Sequence, residues 1–164
     1  MMKPTPRMLY LAIFLGCTGL IVFALYLQHV LGLQPCPMCI LQRYAFIIVG
    51  LIALVAAIHD PARLGRRIYS ALLVVMAATG GGVAIRHVYV EHFPPRIFDC
   101  GADFGFLLES FPLTQALPML FRGTGDCTKV LWRFLGLSIA EWSLICFVGL
   151  VITAVIAGAM KRRV

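Results

Sequence analysis

Charge is what this chain has least of. Charged side chains make up 13% of its 164 residues and apolar ones 61%, a balance far from that of a soluble domain. That scarcity excludes a water-exposed surface over most of the chain and leaves an integral membrane protein. Acidic residues are rarer still, seven against fourteen lysines and arginines, and six of the seven fall between Glu91 and Glu141. No Gly-rich dinucleotide fingerprint is present, so a bound dinucleotide is not the expected electron carrier. A second Cys-x-x-Cys is missing, which counts against a four-thiolate zinc site. No small-residue cleavage site precedes Cys36, and the first apolar run is longer than a signal-peptide core. That run is expected to remain as a membrane helix.

What the chain does have is apolar length. A helix crossing the hydrocarbon needs about 20 residues, and four runs qualify, at 8–27, 40–58, 68–88 and 142–160. With so much of the chain in lipid there is no room for a separate large soluble domain, so residues 1–164 are expected to form one membrane domain. The net charge of +7 would suggest nucleic acid in a soluble protein, but its distribution says otherwise. Lys3, Arg7, Arg63, Arg66, Arg67, Lys161, Arg162 and Arg163 all flank span ends on one side of a four-pass topology. The positive-inside rule makes that side cytoplasmic, with both termini, and places loops 28–39 and 89–141 outside. The basic residues then serve topology, and no nucleic-acid partner is expected.

The chain is organised around Gln34-Pro35-Cys36-Pro37-Met38-Cys39-Ile40-Leu41-Gln42-Arg43, where the first two spans meet. A disulfide across two intervening residues closes too small a ring to gain much unfolded-state entropy, so redox exchange or metal binding is the better reason for the pair. Proline suits the start of a helix, so the second helix is expected to begin near Pro37, with Cys39 in its first turn. The helix dipole and free amides there favour a thiolate, and Arg43 one turn later adds a guanidinium. Arg43 also admits a plainer reading, as a headgroup anchor at the helix end.

Six cysteines divide by position. Cys17 and Cys146 lie inside apolar runs, where a thiol packs as a small hydrophobe. Cys36, Cys39, Cys100 and Cys127 fall on the outward side, where disulfides persist, and two pairs there are expected to oxidise. A bridge between Cys100 and Cys127 would remove about 3 to 4 kcal/mol of unfolded-chain entropy, so a purely structural disulfide also accounts for that pair.

Several further features bear on the site. Gly80-Gly81-Gly82 permits close approach of another helix. Arg86 and His87 are expected to close the third span on the outer side, at the same depth as Arg43 if spans two and three are antiparallel neighbours. Pro94, Pro95, Pro112 and Pro118 punctuate the second outward loop. Its apolar piece, 104–121, is expected to lie in the interface, and Trp132 and Trp142 fit an interfacial aromatic belt.

Three chemistries compete for the four outward cysteines: zinc, structural disulfides, and redox exchange. Structural bridges leave the small Cys36–Cys39 ring unexplained, whereas redox exchange explains both pairs. A dithiol protein outside the membrane would reduce Cys100–Cys127, exchange would pass the electrons to Cys36–Cys39, and a lipid-soluble quinone is the carrier that fits a pair at the membrane edge.

The motif Cys36-Pro37-Met38-Cys39-Ile40-Leu41-Gln42-Arg43 comes first in a set. Arg86-His87, Cys100, the stretch from Gly123 to Cys127, Phe134-Leu135-Gly136-Leu137 and Glu141-Trp142 follow in order. Together they resemble the bacterial disulfide bond formation protein B (DsbB) family over nearly the whole chain. The resemblance implies a four-helix membrane bundle in the bacterial inner membrane. It also implies a quinone-dependent thiol oxidase of electron transport and disulfide formation, with ubiquinone or menaquinone as cofactor and no metal. The implied partner is a periplasmic DsbA-like thiol oxidase. By the same resemblance Cys39 would react with quinone through a charge-transfer complex, with Arg43 and His87 beside the ring. Cys100 would receive the partner's attack, and Cys36 would pair transiently with Cys127. The runner-up from another class is a membrane scaffold whose outer loop is stapled by structural disulfides.

Overall fold

The computed structural model describes residues 5–93 and 132–160. Four helices among them are long and apolar enough to cross a membrane: α1 (Pro6–His29), α2 (Pro37–His59), α3 (Arg63–His92) and α4 (Ile139–Ala159). Between α3 and α4 a two-stranded antiparallel hairpin pairs β1 (Arg133–Phe134) with β2 (Leu137–Ser138).

Side-chain caps set where three of these helices start, while α3 begins at Arg63 without one. Thr5 caps α1 by accepting from the Met8 amide at 3.4 Å, with Pro6 in the first turn. Cys36 caps α2 in the same way, its sulfur accepting from the Cys39 amide at 3.4 Å, with Pro37 next in line. Ser138 and Glu141 form a reciprocal capping box at α4: the Ser138 hydroxyl accepts from the Glu141 amide at 3.3 Å, and the Ser138 amide donates to Glu141 Oε2 at 2.7 Å. As a result α2 and α4 each begin three residues before the apolar runs do.

Helix α3 departs furthest from expectation. It does not close at Arg86 and His87 but continues to His92 and stops just before Pro94 and Pro95. No helix breaker intervenes, and only the residue preceding a proline is driven out of the helical region. Residues 89–92, expected in the outer loop, are therefore one more helical turn. At the other end Asp60 adopts a left-handed conformation, φ 39°, and ends α2 ahead of Pro61.

The helices pack in sequence order, α1 on α2, α2 on α3, and α3 most extensively on α4, with slight contact between α4 and α1. Short connections make α1, α2 and α3 antiparallel neighbours. Two hydrogen bonds fix α4 antiparallel to α3: Ser138 Oγ to Glu91 Oε2 at 2.7 Å at one end, and Ser70 Oγ to the Ala154 carbonyl at 2.6 Å at the other. One end of the bundle thus gathers the C-termini of α1 and α3 with the N-termini of α2 and α4.

The core is built largely of small residues, including Ala45, Ala53, Ala56, Ala57, Ala77, Ala84, Ala154 and Ala157. Large apolar side chains such as Leu15, Val22, Leu51, Val75 and Ile152 point outward. Burying large side chains gains little when the surroundings are hydrocarbon, so close backbone approach drives the packing. Gly80 shows the requirement most sharply. A side chain there would run into the Phe147 ring, which stacks on Phe46 at 4.1 Å between centroids.

Candidate functional site

The end that gathers the start of α2 holds a cavity of about 530 Å³. Its walls are mostly apolar, with Leu20, Phe46 and Trp142 among them, and a few polar side chains converge on it. A concave, mostly apolar site with few oriented polar groups is the usual form of a small-molecule pocket.

Cys36 and Cys39 both face this cavity. They are one turn apart because Cys36 is the N-cap of α2 and Cys39 its third residue. Their sulfurs stand 3.2 Å apart and unbonded, so a disulfide between them needs only a small approach. Cys36 is 7% exposed and Cys39 is more open. The pair is therefore asymmetric: both cysteines line the cavity, Cys39 the more open and Cys36 the more enclosed.

His87, on α3, approaches the more enclosed sulfur. It is 3% exposed, and its Nε2 lies 3.6 Å from Cys36 Sγ. Behind it Gln42, 2% exposed, brings its side-chain amide to 3.3 Å from His87 Nδ1. The carboxamide has a donor end and an acceptor end, so a flip lets it hold either tautomer of the ring. Glu91 sits one turn beyond His87 with Oε1 3.7 Å from Nε2, while its Oε2 accepts from Ser138 Oγ at 2.7 Å. A polar chain thus runs from Cys36 through His87 and Glu91 to the capping box of α4.

Arg43 lies on the cavity wall, held from α1. Its Nη1 donates to Gln28 Oε1 at 2.5 Å and its Nη2 to the Ala24 carbonyl at 3.1 Å. The anchoring partner is therefore the neighbouring helix. Both arms of the guanidinium fork are engaged by α1 among the described residues, and Arg43 still lines the cavity.

Cys36, Cys39, Arg43 and His87 thus share one cavity wall. Cys100 and Cys127 lie outside the described residues, as does the apolar piece 104–121. The tryptophans expected in an interfacial belt form part of the cavity wall. Trp132 stacks on Phe134 at 5.7 Å and meets Phe23 at 5.8 Å, and Trp142 donates to the Phe134 carbonyl at 3.1 Å. Cys146 lines the cavity too, while Cys17 is buried in the core.

Gln28, Gln42, Glu91 and Ser138 were not among the candidate residues read from the sequence. Gln42 and Glu91 each carried a signal, as a polar side chain within or directly beside an apolar run. Ser138 carried another, the Ser-x-x-Glu pattern ahead of an apolar run.

Chemically, two thiols at contact distance close to a disulfide by losing two electrons and two protons, and here a buried imidazole touches one sulfur while an apolar cavity lies beside both. Comparison with known proteins agrees with a thiol chemistry. A family model described as Disulfide bond formation protein DsbB matches residues 6–157. A protein of Aromatoleum aromaticum named Disulfide bond formation protein B is 53% identical over 156 residues, covering 95% of this chain and 94% of its own length. Proteins of the same name from Azoarcus sp. and Saccharophagus degradans are 55% identical over 141 residues and 48% identical over 159. The first covers 86% of this chain and 85% of its own length, the second 96% of each. The chain belongs to the DsbB family of disulfide bond formation proteins.

Proposed function

We propose that the protein is a quinone-dependent thiol oxidase of the bacterial inner membrane that reoxidises a periplasmic DsbA-like dithiol protein. One observation carries this reading: a Cys-x-x-Cys pair opens directly onto an apolar cavity of about 530 Å³ that also presents Arg43 and His87. The cavity suits a flat, apolar ring bearing carbonyl oxygens, since its walls are hydrocarbon and aromatic and a guanidinium stands at its edge. A quinone bound there would supply the acceptor for two electrons and two protons.

The chain's own residues do the rest. Cys100 and Cys127 take electrons from the partner dithiol by exchange and hand them to Cys36 and Cys39. Cys39, the more open sulfur, is the one that passes them on, and Cys36 closes the disulfide behind it. With the Gln42 carboxamide oxygen turned toward Nδ1, the proton of the neutral ring sits on Nδ1, and Nε2 takes the proton from the Cys36 thiol. Glu91 then receives it at Oε1. Arg43, fixed by Gln28 and Ala24, places positive charge where negative charge develops, and its rigid anchorage avoids reorganisation at that moment.

The test is anaerobic mixing of the purified protein with a reduced DsbA-like dithiol and a soluble ubiquinone analogue, followed by quinone absorbance. Quinone reduction that disappears in Cys36→Ser and Cys39→Ser, with both variants folded, is the expected result. No reduction by well-folded wild type, with several quinones and partners, would replace this reading with that of a disulfide-stapled membrane scaffold.

A further inference from the structure

Among the described residues Cys36, Cys39 and His87 form a group whose ligand atoms all lie within 4.8 Å of one another. Zinc forms bonds of about 2.3 Å to sulfur and about 2.0 Å to nitrogen, which at tetrahedral angles sets sulfur–sulfur separations near 3.8 Å and sulfur–nitrogen near 3.5 Å. The 3.6 Å between Cys36 Sγ and His87 Nε2 already meets the second value. The 3.2 Å between the sulfurs falls short of the first, by roughly the travel of a small side-chain rotation at the more open Cys39.

We propose that the reduced site binds a zinc ion through Cys36 Sγ, Cys39 Sγ and His87 Nε2, with a water from the cavity as fourth ligand, and that the ion inhibits the enzyme by holding the pair reduced. Two cysteines and a histidine with an open fourth position is a recurrent zinc ligand set. Binding displaces one proton from each thiol and changes no oxidation state. Zinc has no redox chemistry of its own, so no further reactant is needed. The supporting shell is also present. With Nε2 on the metal, Nδ1 keeps its proton and donates it to the flipped Gln42 carboxamide, the arrangement that orients metal-bound histidines. The ligand set differs from the four-cysteine zinc site considered from the sequence, because it needs neither Cys100 nor Cys127.

Occupancy is a property of the reduced state, since a disulfide leaves no thiolate to bind. The binding itself stands on geometry alone, and only its inhibitory consequence rests on the proposed oxidase activity. It is tested with zinc ion and a chromophoric chelator in competition, on full-length Cys100→Ser/Cys127→Ser protein reduced and then freed of reductant. One zinc per reduced chain is expected, with none after chemical oxidation of Cys36 and Cys39. His87→Ala should weaken binding by about 100-fold or more, and Gln42→Leu by about tenfold. Failure of the folded, reduced protein to retain zinc overturns the site. Equal affinity in His87→Ala overturns it as well, because the cysteines alone would then be acting. In parallel, zinc should stop quinone reduction by the four-cysteine protein over the same concentration range. Unaltered turnover in the presence of bound zinc overturns the inhibitory role. Zinc binding as described in a protein that never reduces quinone would leave the site standing and sink the oxidase reading instead.

Discussion

The two ends of the bundle contain similar polar residues and use them differently. At the end away from the cysteines the side-chain pair of His59 and Tyr69, at 3.0 Å, is exposed, and the buried contacts go to backbone: Tyr10 donates to the Arg66 carbonyl at 3.3 Å and Ser70 to the Ala154 carbonyl at 2.6 Å. Both are side chains locking one helix to the backbone of another. At the cysteine end the contacts are mostly between side chains: Cys36 with His87, His87 with Gln42 and Glu91, Glu91 with Ser138, Arg43 with Gln28. Side chains bonded to one another can exchange protons or change partners without moving a helix. Side chains bonded to backbone carbonyls hold position and do little else. A cavity accompanies the first arrangement, with Cys36, Cys39, Gln42, Arg43, His87 and Glu91 all on its wall.

Substitutions at the two ends should therefore separate activity from stability. The largest effect is expected for Cys39→Ser, which removes the more open sulfur and should bring quinone reduction to background with little change in melting temperature. Arg43→Ala comes next. The loss of a preorganised charge should lower kcat/KM for quinone by on the order of 100-fold. Arg43→Lys should recover only part of it, because an ammonium lacks the planar fork whose two arms reach Gln28 and Ala24. Equal quinone kinetics in wild type and Arg43→Ala would remove Arg43 from the chemistry. A smaller effect, about tenfold on the first-order rate of Cys36–Cys39 oxidation, is expected for Glu91→Gln, which keeps the shape but not the proton-accepting carboxylate. Stopped-flow single turnovers read that rate directly, and an unchanged value would end the proton path at His87.

Much of this architecture was legible in the residues. The four spans follow from hydropathy alone, because a stretch such as Leu9 to Leu27 has no other stable setting than lipid or a bundle core. Helix ends were less legible where side-chain caps decide them. The apolar run of α4 starts at Trp142, yet the helix starts at Ile139 because Ser138 and Glu141 satisfy each other's amides. The site was legible in its sulfurs and in Arg43, which share one local motif. His87 was reached through topology, by pairing spans two and three. Gln28, Glu91 and Ser138 were not reached at all, and the reason is physical. Each acts through a partner 15 or 47 residues away in sequence, and only helix packing decides which polar side chains meet.

The smallest expected effect is that of Ser70→Ala. Ser70 sits at the end remote from the cysteines, and its hydroxyl donates to the Ala154 carbonyl of α4, which remains part of that helix's own backbone ladder when the serine is removed. Ser70→Ala therefore strands no acceptor, and the loss should be that of one ordinary hydrogen bond, about 1 kcal/mol. The two helices approach so closely here that a Cβ at Gly158 would collide with the Ser70 side chain, so the hydroxyl vacates little space. A modest fall in melting temperature is expected in detergent, with quinone kinetics unchanged. The mirror substitution, Ser138→Ala, removes a comparable hydroxyl at the other end, but that hydroxyl both caps α4 and donates to Glu91. Its stability cost should be larger, about 2 to 3 kcal/mol, because the cap is lost and the largely buried Glu91 carboxylate loses a donor, and it alone should also slow the single-turnover oxidation of Cys36 and Cys39. If the two alanine variants prove kinetically alike, the polar chain from Cys36 to the capping box is packing, and the division between the two ends of the bundle does not hold.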